Sequence, residues 1–117
     1  MSDTDELPRA LEVPLASLAE LAVEWWRLEL GGGGPPADAR TRHVARRLGR
    51  FLGERGLACV DLTGRPHDDG LAAEVLDVIR DDRLPPGAAV VEETVSPVVL
   101  WRGRVVRHAQ VIVRKNF

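Results

Sequence analysis

Residues 102–114, Arg-Gly-Arg-Val-Val-Arg-His-Ala-Gln-Val-Ile-Val-Arg, decide how this chain is to be read. Arg102, Arg104, Arg107 and Arg114 are set among valines, with His108 between them. The Arg102-Gly103 pair is turn chemistry, and the residues after it alternate as a strand does. Val105, Arg107, Ala109, Val111 and Val113 fall on one face of that strand, and Arg104, Val106, His108, Gln110 and Ile112 on the other.

Working backwards, residues 88–101 (AAVVEETVSPVVLW) read as strands broken by Pro97. RLPPG, 83–87, is a turn. LAAEVLDVIRD, 71–81, is ambiguous: alanine and glutamate favour helix, whereas Val75, Leu76, Val78 and Ile79 suit a buried strand. TGRPHDDG, 63–70, is turn material, and LACVDL, 57–62, is a short strand. The C-terminal half, residues 57–117, is therefore a compact β-domain.

The N-terminal half has helical periods. In residues 14–30 (PLASLAELAVEWWRLEL), Leu15, Leu18, Ala22, Trp25 and Trp26 recur at helical spacing, and Leu21 and Leu28 widen the stripe. Two adjacent tryptophans cannot share one narrow stripe, so one of them meets a second surface. GGGGPPA, 31–37, ends this helix and forms a linker. It is not a phosphate loop, because no Gly-Lys-Ser/Thr comes after it. A second helix runs from an N-cap at Asp38 to a stop at Gly56. Val44, Leu48, Phe51 and Leu52 form its apolar face. Arg40, Arg42, Arg46, Arg47 and Arg50 read either as a solvated face or as a surface for an acidic partner. Residues 1–13 are a flexible lead-in, and 14–56 a two-helix dimerisation region.

Composition narrows the function. A net charge of −2 argues against non-specific nucleic-acid binding, which needs a basic surplus. No apolar run approaches the ~20 residues that cross a bilayer, and no secretory leader is evident. Cys59 is a lone cysteine between Ala58 and Val60, expected as an inert buried thiol. A cytoplasmic protein is expected, with neither membrane nor nucleic acid as partner. His43, His67 and His108 match no metal-ligand spacing, and Asp68 and Asp69 sit where turns favour aspartate. The expectation is a non-enzyme, with no catalytic residue, cofactor or metal.

Three stretches, GLACVDLTGRPHDDGLAAEV (56–75), LPPGAAVVEETV (84–95) and GRVVRHAQVIVRK (103–115), placed after a helix, resemble the C-terminal half of GrpE. GrpE is the nucleotide exchange factor of DnaK-type heat-shock chaperones. Gly64, Pro66, Asp68 and Val75 match the family's first β-element. Gly87, Val90, Val91 and Glu92 match its second, and Arg104, Val105, Arg107, Ala109 and Val111 its closing signature. His67, Asp69 and His108 depart from it, the Gly-Tyr pair is replaced by PVVLW (97–101), and the long N-terminal helix has no counterpart in these residues.

The resemblance implies an α+β fold: two N-terminal helices forming a dimeric four-helix bundle, then a small all-β domain. It implies a homodimer that engages the nucleotide-binding domain of a DnaK-type chaperone and speeds ADP release. Unpaired amphipathic helices would expose an apolar patch, so Leu15, Leu18, Ala22, Trp25, Trp26, Val44, Leu48, Phe51 and Leu52 are expected to dimerise. Arg104 and Arg107 from the signature, with Trp101, Arg102, Val98, Val99 and Asp68, are expected to meet the partner. The rival is a non-catalytic protein-binding regulatory module of the same fold outside the chaperone cycle.

Overall fold

The computed structural model describes residues 13–30 and 38–117. Nearly all of the expected lead-in (1–12) and the glycine–proline linker (31–37) lie outside the described residues. The fold is α+β, with two helices and two three-stranded sheets among the described residues.

Helix α1 spans Leu15–Glu29 and α2 spans Ala39–Glu54. Pro14 stands just before α1, where the missing N–H costs nothing, and its carbonyl accepts from the Ser17 and Leu18 amides. Asp38 caps α2 as expected. Its carboxylate accepts from the Thr41 amide (3.1 Å), the Thr41 hydroxyl (2.7 Å) and the Arg40 amide (3.4 Å). These bonds favour the ionised form, the Thr41 hydroxyl most, so the Asp38 carboxyl titrates below its ordinary range. After Arg55, Gly56 takes φ +87°, a conformation that favours glycine, and the chain leaves the helix there.

Six strands follow among the described residues: β1 Leu57–Val60, β2 Ala73–Arg80, β3 Ala89–Ser96, β4 Val98–Trp101, β5 Arg104–Arg107 and β6 Ala109–Lys115. One sheet has the order β1-β4-β5 and is antiparallel throughout. The other has the order β2-β6-β3, with β2 parallel to β6 and β3 antiparallel to it. Pro97 separates β3 from β4, and His108 separates β5 from β6. Because Ser96 pairs with Gln110 and Val99 with Arg107, these two breaks lie side by side. A single long hairpin therefore bends there and passes from one sheet into the other. Proline is tolerated because the ladder is interrupted at the bend.

Val98 and Val99 show how the layers stack. Neighbouring strand residues point to opposite faces. Val99 packs with Ala19, Ala22, Val23, Leu52 and Leu57, whereas Val98 packs with Leu62, Val91, Ala109, Val111 and Val113. The β1-β4-β5 sheet thus has the helices on one side and the second sheet on the other. Fully burying a valine of this kind contributes ~1.5–3 kcal/mol.

The bend also corrects the alternation expected for residues 104–113. Ala109, Val111 and Val113 share the buried face as expected, but Val105 is exposed and Val106 packs against the helix-side core. The phase shifts at His108 because the strand changes sheets there. The ambiguous run 71–81 is resolved as strand β2. Its Val75, Leu76, Val78 and Ile79 are 36–48% exposed, not buried. Among the described residues strand β2 pairs with β6 alone and forms an edge of its sheet. A bulge between Val75 and Asp77, and an Asp77 carboxylate that accepts the Val78 amide (2.8 Å), interrupt that edge.

Candidate functional site

The tip of the bent hairpin is the Arg102–Gly103 connection between β4 and β5. It rests on the corner where α2 passes into β1. The Trp101 indole N–H donates to the Arg55 carbonyl (3.1 Å), and the Arg102 amide donates to the Gly56 carbonyl (2.8 Å). The Arg102 guanidinium lies 4.6 Å from the Trp101 ring centre. This is cation–π range. Arg104 is the cross-strand neighbour of Trp101 and is exposed. The tip thus gathers Trp101, Arg102 and Arg104 in one place.

The other expected contact residues lie elsewhere. Arg107 is half-buried and lines a groove of about 430 Å³ with Ser17, Glu20, Leu21 and Glu24 of α1. Asp68 is exposed in the 63–70 turn, where its carboxylate accepts the Gly70 amide (2.8 Å) and holds the turn. Val98 and Val99 are 5% and 0% exposed, which corrects the expectation that they touch a partner. They serve the two cores instead, because β4 is sandwiched between the helices and the second sheet.

The residues expected to dimerise divide. Ala22, Trp26 and Leu52 are buried within the chain, and Leu15, Leu18, Trp25 and Leu48 are partly buried around its helix-side core. The apolar stripe is largely covered by the packing of α1 on α2 and β1. The second surface expected for one tryptophan is α2. The Trp25 indole N–H donates to the Ala45 carbonyl (2.9 Å), and a β-carbon at Gly49 would fall 2.8 Å from its ring. Val44 and Phe51 remain 55% and 40% exposed, joined by Leu21, Leu28 and Leu30. On α1 the exposed leucines neighbour Glu20 and Glu24. On α2 the exposed Val44 and Phe51 neighbour Arg40 and Arg47.

Cys59 is half-buried on a cleft of about 250 Å³ shared with Trp25, Trp26 and Leu57, and its thiol faces the Ala22 carbonyl (3.6 Å). Desolvation pushes the thiol up to about 11, so it is protonated at neutral pH. No group of three or more potential metal ligands occurs among the described residues. Among them, no helix is long and apolar enough to cross a membrane.

One charged cluster gave no signal in the sequence. Asp81, 6% exposed, accepts from Arg83 Nε (3.0 Å), the Arg83 amide (3.0 Å) and Arg114 Nη1 (2.7 Å). Arg114 also pairs with Glu92 through its Nε. Hydrogen bonds from the Arg83 guanidinium, its amide and the Arg114 guanidinium hold the Asp81 carboxyl well below the carboxylate range. The cluster ties the end of β2 to β3 and β6. Every charge in it has a partner, so it acts as a brace.

This geometry defines an α+β protein with a helical hairpin on one face of a bent β-unit and a basic, aromatic tip at their junction. Comparison with known proteins finds no family model that matches the chain and no curated protein that matches it.

Proposed function

We propose that the chain is a GrpE-like nucleotide exchange factor of the cytoplasm. On this reading it is a homodimer that binds the nucleotide-binding domain of a DnaK-type chaperone and accelerates ADP release. One observation carries the reading: how the closing stretch of the resemblance is used. Ala109 and Val111 are fully buried in the β-core, while Arg104 stands exposed at the tip beside Trp101. The same stretch therefore supplies both the scaffold and an outward-facing arginine, which supports the reading. Gly64 and Gly87, matched in the earlier elements, both take positive φ, which gives these glycines a backbone reason.

The mechanism is mechanical. A factor that binds the open cleft better than the closed one shifts the population towards open, and ADP leaves faster. Each ~1.4 kcal/mol of difference is about tenfold in that equilibrium. Reciprocity requires ADP to weaken binding of the factor equally. The residues doing this work would be Trp101, Arg102 and Arg104 at the tip, with Arg107 in the separate groove beside α1.

The dimer is supported by what the fold leaves uncovered. Leu21 and Leu28 beside Glu20 and Glu24 on α1 complement Val44 and Phe51 beside Arg40 and Arg47 on α2. In a two-fold contact each α1 would meet the partner's α2, giving four helices from two chains.

Stopped-flow release of a fluorescent ADP analogue from a chaperone of the same cell tests the function. Release should accelerate with added protein and saturate. No acceleration at saturating protein refutes exchange activity and favours the rival, a non-catalytic protein-binding regulatory module.

A further inference from the structure

Arg102 is the one non-glycine residue with positive φ among the described residues, at +50°, with Gly103 next to it at +81°. Two positive φ values in a two-residue hairpin loop make the turn whose first position favours asparagine, aspartate or glycine. An arginine there carries a β-carbon penalty that the turn does not require. A non-glycine residue held in that region points from backbone outlier to function.

The side chain is also built into its place. It stacks on the Trp101 ring, and its stem crosses Gly56, where a β-carbon would come within 2.9 Å of Arg102 Cγ. Its charge, however, has no counterpart. Arg27, Arg55, Arg80, Arg83 and Arg114 each have a carboxylate within ion-pair distance. Arg102 and its tip neighbour Arg104 have none among the described residues; the same holds of Arg46, Arg47, Arg50 and Arg65, so what sets the tip apart is the aromatic ring under Arg102 and the second arginine just across the turn. Two guanidinium groups beside one indole, unneutralised on a chain of net charge −2, form a local anion-seeking patch.

We infer that the Arg102–Gly103 tip is a carboxylate-binding contact, with Arg102 and Arg104 docking on an acidic protein surface and Trp101 as the apolar floor. This rests on the reading of the chain as a partner-binding protein and names the chemistry of that contact. A protein surface is favoured over nucleic acid because two cations on an acidic chain give little counterion release. An arginine stacked on an aromatic ring is instead the composition of a protein hot spot.

The test compares wild type, Arg102→Gly and Arg102→Asn, both substitutions suiting the turn. Affinity for the nucleotide-binding domain of a DnaK-type chaperone is measured by calorimetry, and thermal unfolding alongside. Both variants should melt at or above the wild-type temperature and bind at least tenfold more weakly. Unchanged affinity overturns the inference while leaving the exchange function standing. Affinity lost only in step with a lowered melting temperature in both variants also overturns it, because Arg102 is then a brace. If wild type does not bind that domain, the proposed function fails and the contact is tested with poly-L-glutamate. NMR shifts at the Arg102 and Arg104 Nε–H and the Trp101 indole N–H support the inference, and their absence overturns it. Tighter binding of duplex DNA than of poly-L-glutamate overturns the choice of partner.

Discussion

Two glycines in α2, four residues apart, should respond to alanine with opposite signs. Helix propensity alone favours alanine at both Gly49 and Gly53, by ~0.5–1 kcal/mol. Their surroundings differ. A β-carbon at Gly53 meets nothing within 4 Å, so Gly53→Ala should keep that gain. At Gly49 the same carbon would lie 2.8 Å from Trp25 Cζ2 and 2.9 Å from Cε2 and Nε1. The ring would have to lift by roughly 0.6 Å to reach ordinary contact distance. It is anchored at the Nε1 end by its bond to the Ala45 carbonyl, so lifting it strains or breaks that bond. Overpacking costs ~1–3 kcal/mol and the lost bond ~1 kcal/mol, against a propensity gain of ~1. Gly49→Ala should therefore destabilise by ~1–3 kcal/mol. The two variants should differ by ~2–4 kcal/mol, or roughly 8–16 °C in melting temperature for a chain of this size. Circular-dichroism melts and urea titrations at one fixed protein concentration measure this. In a Trp25→Leu background the penalty at Gly49 should largely vanish, since the two sites act through one contact. A Gly49→Ala protein as stable as Gly53→Ala would refute the placement of Trp25 over α2.

Three further outcomes concern other parts of the fold. Phe51→Glu should convert the proposed dimer to a monomer in sedimentation with helix content retained, because Phe51 is 40% exposed; a persistent dimer refutes this helix face as the interface. Asp81→Asn should lower the melting temperature at neutral pH. Because the folded Asp81 carboxyl titrates below its unfolded value, its stabilisation is present above the ordinary carboxylate range near 4 and is lost as pH falls below it. The gap between wild type and variant should then close in acid, and a gap independent of pH would refute the network. Cys59, pushed up from 9.0 to about 11, should have roughly 100-fold less thiolate at pH 8 in the folded protein than when unfolded. Ellman's reagent should therefore react correspondingly slowly until denaturant is added, and equal rates would refute its burial.

How much of the structure could be read from the sequence depends on the range of the interactions. Asp38, Gly56, Pro97 and the Arg102-Gly103 turn act on their own few residues, and each marks a boundary where the pattern placed it. Strand β2 could not be read this way. Its conformation depends on pairing with β6, some 35 residues on, and an edge position leaves apolar residues exposed that alternation assigns to a core. The shift of phase between Val105 and Val106 is likewise a property of the bend at His108, which needs both sheets to exist. The Asp81–Arg114 pair spans 33 positions and has no spacing signature. For the site, Trp101, Arg102 and Arg104 were legible as an aromatic residue among arginines. Val98 and Val99 misled because burial on both faces of β4 reads the same as a sticky surface. The apolar stripe of α1 could be recognised, but not that α2 and β1 of the same chain cover most of it.

The two surfaces assigned to contact are mechanically joined. The helix face with Phe51 ends at Arg55, whose guanidinium lies 3.6 Å from the Phe51 ring centre. The Arg55 carbonyl accepts the Trp101 indole N–H, and the next carbonyl, that of Gly56, accepts the Arg102 amide. Only Arg55 and Gly56 thus separate α2 from β1, yet both are clamped by the hairpin tip and cannot swing without breaking these bonds. A factor acting by preference for one shape of its target needs this stiffness, since a free hinge would let the tip track the target through its closed and open states alike. Flexibility at Gly56 would leave the tip bound but the population unshifted. For this reason the φ +87° of Gly56 and the strained turn at Arg102 belong to one device. On the proposed exchange reading, breaking the clamp should slow stopped-flow ADP release more than it weakens binding of the chaperone domain; an equal loss of both would refute a role for this stiffness.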